Sequence, residues 1–192
     1  MPGGEGGEAR AASAAMDRYA TGDDAAFATL YDLLAPKLFA FLLRRTGERA
    51  RAEDLVQQTF LQMHCARETY VTGADVVPWA FAIARRLAID AYRRSKREIA
   101  QSDADFGGVV AELAPEDVLG TKQAATIVVE TLEALPEAQR VAFELIKVDG
   151  LSLAQAAETL GTTVTAVKLR AHRTYEALRG ALRDDGARGQ VG

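Results

Sequence analysis

The stretch whose reading decides the fold is Leu151–Leu178, LSLAQAAETLGTTVTAVKLRAHRTYEAL. Ser152 and Gln155 stand three residues apart, the spacing of a reciprocal cap at a helix N-terminus. Ala156, Ala157 and Leu160 then fall on one face of a short helix. Gly161 stands where a left-handed residue is wanted to stop it. Thr163 is placed to cap a second helix, whose inner face continues through Val167, Ala171, Tyr175 and Leu178. A short helix, a glycine turn and a second helix predict a helix-turn-helix. Ala157, four residues before Gly161, leaves room for the two helices to approach closely.

The outer face of that second helix carries Lys168, Arg170, His172 and Arg173, and its start is rich in hydroxyls at Thr162, Thr163 and Thr165. Such a helix fits the major groove, where Arg and Lys read guanine edges or grip phosphates. A plain structural hairpin with a solvated basic face has the same spacing, so the pattern alone leaves both readings open.

Working towards the N-terminus, Ile127–Leu135 reads as a helix. Pro136 opens another that runs to Val148, with Val141, Phe143, Leu145 and Ile146, and Asp149-Gly150 ends it. Residues 98–124 differ in character. Glu98, Asp103, Asp105, Glu112, Glu116 and Asp117 face Lys122 alone, and Gly107-Gly108, Pro115 and Gly120 interrupt any helix. This is read as an acidic interdomain linker.

Before it, Pro78 is expected as the first residue of a helix with Trp79, Phe81, Ile83, Leu87, Ile89 and Tyr92. Arg85, Arg86, Arg93, Arg94, Lys96 and Arg97 cluster on that helix, with Asp90 and Glu98 as the only acids nearby. A basic helix edged with aromatics suits single-stranded DNA; the ordinary alternative is core aromatics beside a solvated face. A loop is expected over 68–77. A helix from about Ala50 to Arg67 carries Leu55, Phe60, Leu61 and Met63 inward and Glu53, Asp54, Gln57, Gln58 and Gln62 outward, an amide-rich strip suited to protein docking or simply exposed. Phe27, Leu30, Tyr31 and Leu34 recur at helical spacing until Pro36, which should kink or restart the helix. Leu38, Phe39, Phe41, Leu42 and Leu43 continue its apolar face to Gly47. Residues 1–15 and 184–192 are read as disordered tails.

The expected fold is therefore all-α: two small helical domains, 16–97 and 125–183, joined by the linker. The 192 residues, 48% of them hydrophobic, suffice for two small cores, and the net charge of −4 conceals the local basic clusters. One cysteine, Cys65, excludes an internal disulfide and a cysteine-rich zinc site, and it is expected to be a buried small residue. No secretory signal is evident, and Val76–Ala84 is too short to span a bilayer. A soluble cytoplasmic protein without membrane insertion is expected. His64 and His172, the only histidines, fall in different domains, so neither a catalytic triad nor a metal site can be assembled, and no enzyme activity or cofactor is expected.

Three runs together resemble the extracytoplasmic-function group of bacterial sigma factors: Ala52–Leu61 (AEDLVQQTFL), Pro78–Asp90 (PWAFAIARRLAID), and Leu135-Pro136 through the helix-turn-helix with Val167-Lys168. The resemblance covers Asp17 to Leu182. It implies that the first domain is sigma region 2 and the second sigma region 4. It implies that Asp54, Leu55, Gln57, Gln58, Phe60 and Leu61 dock on the beta-prime clamp helices of core RNA polymerase, with the beta flap as a further contact. Trp79, Arg85, Arg86, Asp90, Arg93, Arg94 and Arg97 would hold the promoter −10 element, while the loop 69–77 captures an extruded base. Thr163, Thr165, Lys168, Leu169, His172 and Arg173 would read the −35 element. An anti-sigma factor is implied as a further partner. The acidic linker would follow the path of nascent RNA. Separately, the charge pattern of an acidic segment between two basic helices predicts that in the free protein the linker or the other domain screens those faces. Two positions depart from the pattern: Leu169 stands where relatives often carry Ser, and Leu87 where they often carry Asn. A sigma mimic that only sequesters an anti-sigma factor would be free to lose the basic residues kept here. A simple helix-turn-helix regulator would have no use for the aromatic-basic helix.

Overall fold

The computed structural model describes residues 5–101 and 119–188, with side chains over 6–97 and 125–183. The described residues are helical, without strands, in the order α1 (Glu5–Ala20), α2 (Ala26–Thr46), α3 (Arg49–Cys65), a 3-10 turn (Arg67–Thr69), α4 (Val76–Gln101), α5 (Leu119–Ala134), α6 (Glu137–Lys147), α7 (Leu153–Thr159) and α8 (Val164–Arg188). The chain divides into two compact units, 1–111 and 112–192. The expected all-α, two-domain architecture is what the fold shows.

The N-terminal segment corrects the sequence reading. Residues 1–15 were expected as a tail, yet α1 begins at Glu5 and forms part of unit 1. Ala12, Ala15, Met16 and Tyr19, spaced as one helical stripe, are 1%, 4%, 0% and 4% exposed. Alanine has the highest helix propensity and brings backbones together without a large side chain. A stripe half built of alanines escapes a search for large apolar residues. Lys37 on α2 pairs with Glu8 on α1 at 2.7 Å.

Helix α2 is unbroken through Pro36. Proline inside a helix costs about 3 kcal/mol. Leu30 and Leu34 before it, and Leu38, Phe41 and Leu42 after it, are all buried on one face. Each such burial contributes roughly 1.5–3 kcal/mol, so packing outweighs the proline. This is also the one described helix long and apolar enough to cross a bilayer; here its leucines form the centre of a protein core. Gly47 closes it in the left-handed region at φ +66°, its N–H donating to Leu43 O.

In α3 the buried residues are Ala52, Leu55, Val56, Thr59, Phe60 and Met63. Thr59 is satisfied internally, donating to Leu55 O at 2.7 Å. Leu61, expected inward, is 61% exposed, and Cys65, expected buried, is exposed at the end of the helix. Leu61 lies one position past the buried Phe60, and Cys65 two past the buried Met63. Helix α4 starts at Val76, two residues before Pro78, because Asp75 Oδ1 accepts from Val77 N at 3.0 Å and caps it. Pro78 then falls in the first turn, where its missing N–H has no intrahelical partner to lose. Phe41 and Phe81 meet edge to face at 5.1 Å in the middle of the unit.

In unit 2, α5 begins at Leu119 and α4 of unit 1 runs to Gln101, so both ends of the expected linker 98–124 are helical. Asp103, Asp105, Glu112, Glu116 and Asp117 lie outside the described residues. Helix α8 continues to Arg188, past the start of the tail expected at 184. Val141, Ala142, Leu145, Leu151, Ala156, Ala157, Val167 and Leu178 make the core. Thr174, not the neighbouring Tyr175, takes the inward position on α8; its hydroxyl donates to Arg170 O at 3.2 Å, and Tyr175 faces solvent.

Candidate functional site

The helix-turn-helix forms as its sequence dictates. Gln155 N donates to Ser152 Oγ at 3.2 Å and Ser152 N to Gln155 Oε1 at 2.8 Å, completing the capping box that starts α7. Gly161 has φ +59°. A Cβ there would meet nothing within 4 Å, so backbone conformation alone selects glycine. Thr162 N reaches back to Ala157 O at 2.9 Å, and Ala166 N donates to Thr163 Oγ1 at 3.1 Å to cap α8. With α8 anchored by Val167, Thr174 and Leu178, its other side is free. Thr165, Lys168, Leu169, His172 and Arg173 are all exposed and follow i, i+3, i+4, i+7, i+8, a single stripe, with Thr163 exposed at its head. The six residues expected to touch duplex DNA are thus brought together on one face.

In unit 1 the basic helix divides by depth. The buried stripe of α4 runs through Ala80, Phe81, Ala84, Leu87 and Ala88 and ends at Ala91. From Tyr92 to Arg97 no side chain is buried. Arg86, Asp90, Arg93, Arg94 and Arg97 are exposed at i, i+4, i+7, i+8, i+11, one stripe along the helix. Arg85 is half-buried. Arg86 donates from Nη2 to Gln62 Oε1 on α3 at 2.9 Å, and Arg97 Nε to Arg93 O at 3.2 Å. Trp79 is half-buried, with its ring 5.4 Å from that of Tyr70 in the loop before the helix. Phe81 is core.

The residues that the resemblance implies for the −10 element leave out Tyr92, although it is one of the aromatics that edge the basic helix. Tyr92 is 64% exposed, and with Arg93, Lys96 and Arg97 it borders an open hollow on α4 past the end of the buried stripe. The signal was available: Tyr92 and Lys96 are spaced i, i+4, just past the last residue of the core stripe.

On α3, Asp54, Gln57, Gln58 and Leu61 are exposed together, whereas Leu55 and Phe60 are 3% and 4% exposed. These two, expected as partner contacts, support the face from within. The face borders the basic helix. Asp54 and Gln58 share a groove of ≈240 Å³ with Arg51, Leu55, Ala91 and Arg94, across which Arg51 Nη2 donates to Ala91 O at 3.4 Å.

Comparison with known proteins agrees with this division. Residues 30–98 match the Sigma-70 region 2 family and residues 125–178 the Sigma-70 region 4 family. The RNA polymerase sigma factor CarQ of Myxococcus xanthus is 34% identical over 164 residues, covering 85% of this chain and 93% of the relative. The chain belongs to the extracytoplasmic-function sigma factors. Another relative, the ECF RNA polymerase sigma factor SigF of Caulobacter vibrioides, is 34% identical over 171 residues, 88% of this chain and 93% of SigF. Among solved structures, the sigma factor RpoE in complex with the anti-sigma factor NepR from Bartonella quintana is similar at a TM-score of 0.67 and 27% identity, over 82% of this chain and 96% of that one. The sigma factor family is one of transcription initiation factors, and region 4 is its DNA-binding helix-turn-helix.

Proposed function

We propose that this sigma factor joins core RNA polymerase in the cytoplasm, directs it to promoters by reading −35 and −10 elements, and melts the −10 region. It acts as a binding subunit, not as an enzyme. The observation that carries the reading is the pair of exposed stripes of different chemistry on α4 and α8. The α8 stripe mixes hydroxyl, apolar and basic groups, as base reading in a major groove requires. The α4 stripe is almost wholly basic, with Trp79 near the start of the helix and the exposed Tyr92 ring beside the arginines, as a single strand requires.

Asp54, Gln57, Gln58 and Leu61 dock on the polymerase beta-prime clamp helices, with Leu55 and Phe60 holding that face in shape, and unit 2 engages the beta flap. Arg86, Arg93, Arg94 and Arg97 neutralise phosphates of the −10 strand, while Asp90 limits the stripe to productive registers. Trp79 and Arg85 shape the floor of that site from their half-buried positions. The loop from Tyr70 to Asp75 takes the extruded base. Flipping a base costs a few kcal/mol, and one aromatic stack returns about 1–3 kcal/mol, so the loop and the basic stripe must act together. Thr163, Thr165, Lys168, Leu169, His172 and Arg173 read the −35 duplex. An anti-sigma factor controls the free protein, in line with the complex in which the Bartonella relative was solved.

Run-off transcription with core polymerase on a promoter library tests this. Selective initiation from a subset sharing two elements, at −35 and −10, is expected. Core binding without any promoter-dependent transcript would point to a mimic and overturn the reading.

A further inference from the structure

Helix α1 lies outside the residues matched to region 2, which begin at 30, and it reaches across to the loop between α3 and α4. Asp17 Oδ1 on α1 accepts from Gly73 N at 2.9 Å. Ser13 Oγ, one turn earlier, accepts from Val76 N at 3.2 Å. The loop between these ties is a turn, Val71-Thr72-Gly73-Ala74, closed by Ala74 N donating to Val71 O at 3.0 Å. Gly73, its third residue, has φ +84°, the conformation that a type II turn demands there. On the far side Tyr70 is held too: its hydroxyl donates to Ala74 O and its ring packs on Trp79. Arg67, at the start of the loop, lies over the Tyr19 ring of α1 at 5.4 Å and 3.5 Å from Asp24. The tip is left open, with Val71 exposed to solvent.

A solvent-exposed turn of this length, held by its own single hydrogen bond, samples many conformations, and fixing each backbone residue costs about 1–2 kcal/mol of entropy. Two hydrogen bonds donated to a neighbouring helix, one of them to a carboxylate, remove much of that freedom before any ligand arrives. Preorganisation of this kind raises affinity without adding a contact to the ligand.

We infer that Asp17, seconded by Ser13, is a positioning residue for base capture: α1 braces the Val71–Ala74 turn in the shape that receives the extruded base. The inference rests on the role given above to the loop. Asp17 touches no DNA itself and acts through the Gly73 amide.

The test uses holoenzyme and a fluorescent single-stranded oligonucleotide carrying the nontemplate −10 element of a promoter returned by the run-off library. Asp17→Ala should weaken binding of this probe at least fivefold and slow promoter opening by a similar factor. Core polymerase affinity and the affinity of free protein for the −35 duplex should stay within twofold. Asp17→Asn keeps an oxygen that accepts from Gly73 N, and it should restore probe binding to within twofold of the parent. Exchange of the Gly73 amide, read on the free protein, should be slow in the parent and in Asp17→Asn and fast in Asp17→Ala, a readout independent of DNA. Parent-like probe binding by Asp17→Ala overturns the inference. So does an Asp17→Asn variant as impaired as Asp17→Ala, since charge would then matter and the bond would not. A parent holoenzyme that fails to bind the probe overturns the loop's proposed role itself, and with it the inference.

Discussion

The two units solve the same problem, exposing a basic helix on a small protein, with cores that differ in size and in buried aromatic rings. Unit 1 is filled by large side chains. Phe41, Phe81, Met16, Leu30, Leu34, Leu38 and Leu42 are fully buried, and further rings from Phe27 and Phe60 meet at 5.9 Å. Unit 2 has no buried ring among its described residues: Leu145, Leu151 and Leu178 pack with Val141, Val167 and Ala142, Ala156 and Ala157, and the buried hydroxyls of Thr159 and Thr174 are bonded back to their own helices. The difference follows from what each displays. The stripe on α8 needs a tight turn between two closely approaching helices, which alanines permit. The stripe on α4 needs a long helix held firmly at one end so that the other protrudes, which a thick aromatic core provides. Unit 1 is therefore expected to tolerate small losses of packing better than unit 2, where few large contacts carry stability.

The strongest way to break this comparison is to empty each core in turn. Phe81→Ala should cost about 3–5 kcal/mol, and Leu145→Ala about 2–5 kcal/mol. A small domain has a total stability of roughly 5–15 kcal/mol, with short chains at the low end. Calorimetry of the full chain should show Phe81→Ala lowering one transition and Leu145→Ala lowering another, with the unit 2 transition nearly abolished. A single transition displaced by either change would mean that the two cores unfold together.

The next largest effect is on recognition. Arg173→Ala should weaken −35 duplex binding by about 1–3 kcal/mol and relax preference at one promoter position, the signature of a base contact. Binding titrations of holoenzyme against single-base variants of the −35 element read both. A uniform loss across all variants would reassign Arg173 to a phosphate. On α3, Asp54→Lys should reduce core polymerase pull-down by about 1 kcal/mol, the scale of one exposed charge contact. Because Asp54 shares its groove with Arg94, this variant also changes the field at the basic helix. Gln57, exposed on the same face but outside that groove, supplies the control. Gln57→Lys should impair pull-down while leaving −10 probe binding untouched.

The helices and the two exposed stripes on α4 and α8 were legible because periodicity and capping chemistry both survive in the sequence. Ser152, Gln155, Gly161 and Thr163 specify the helix-turn-helix through bonds to their near neighbours, so no tertiary knowledge is needed. What escaped depends on distant partners. The stripe Ala12, Ala15, Met16 and Tyr19 has meaning only once α2 packs against it. Pro36 reads as a break until the leucines on either side are seen to share one core. Pairs of adjacent candidates are ambiguous by one residue: Phe60 with Leu61, and Thr174 with Tyr175. The buried stripe of α3 already takes Thr59 and Phe60 and leaves Leu61 outside, and that of α8 takes Thr174 and leaves Tyr175 outside; the packing neighbours decide which. The same limit hid the brace from Asp17 to Gly73, two residues 56 apart in sequence joined by one hydrogen bond. Tyr92 was passed over for a different reason. It continues the run of apolar residues along α4, and only the point where the core ends separates a packed ring from a displayed one.

The smallest expected effect concerns how α1, the element least visible in sequence, is held. Burial of Ala12, Ala15, Met16 and Tyr19 is one contribution, and the Lys37–Glu8 pair at 2.7 Å is another. The hydrogen bond and the charge of Lys37 hold the Glu8 carboxyl below the usual glutamate value. A carboxyl with a depressed folded-state pKa contributes stability that is complete above its unfolded pKa and is lost as pH falls through the folded one. Glu8→Gln keeps an acceptor for Lys37 and removes the charge. It should therefore melt slightly below the parent at neutral pH, and the gap should close as the pH is taken below the usual carboxylate range of about 4. Both side chains reach solvent, so raising salt at neutral pH should shrink the gap as well, since exposed charges are screened over about 10 Å at 0.1 M. Melting curves of the two proteins across pH and salt decide between the contributions. A gap that ignores both pH and salt would assign the effect to packing of the Glu8 stem. No gap under any condition would leave the docking of α1 to the buried stripe and to the hydrogen bonds that Gly73 and Val76 donate to it.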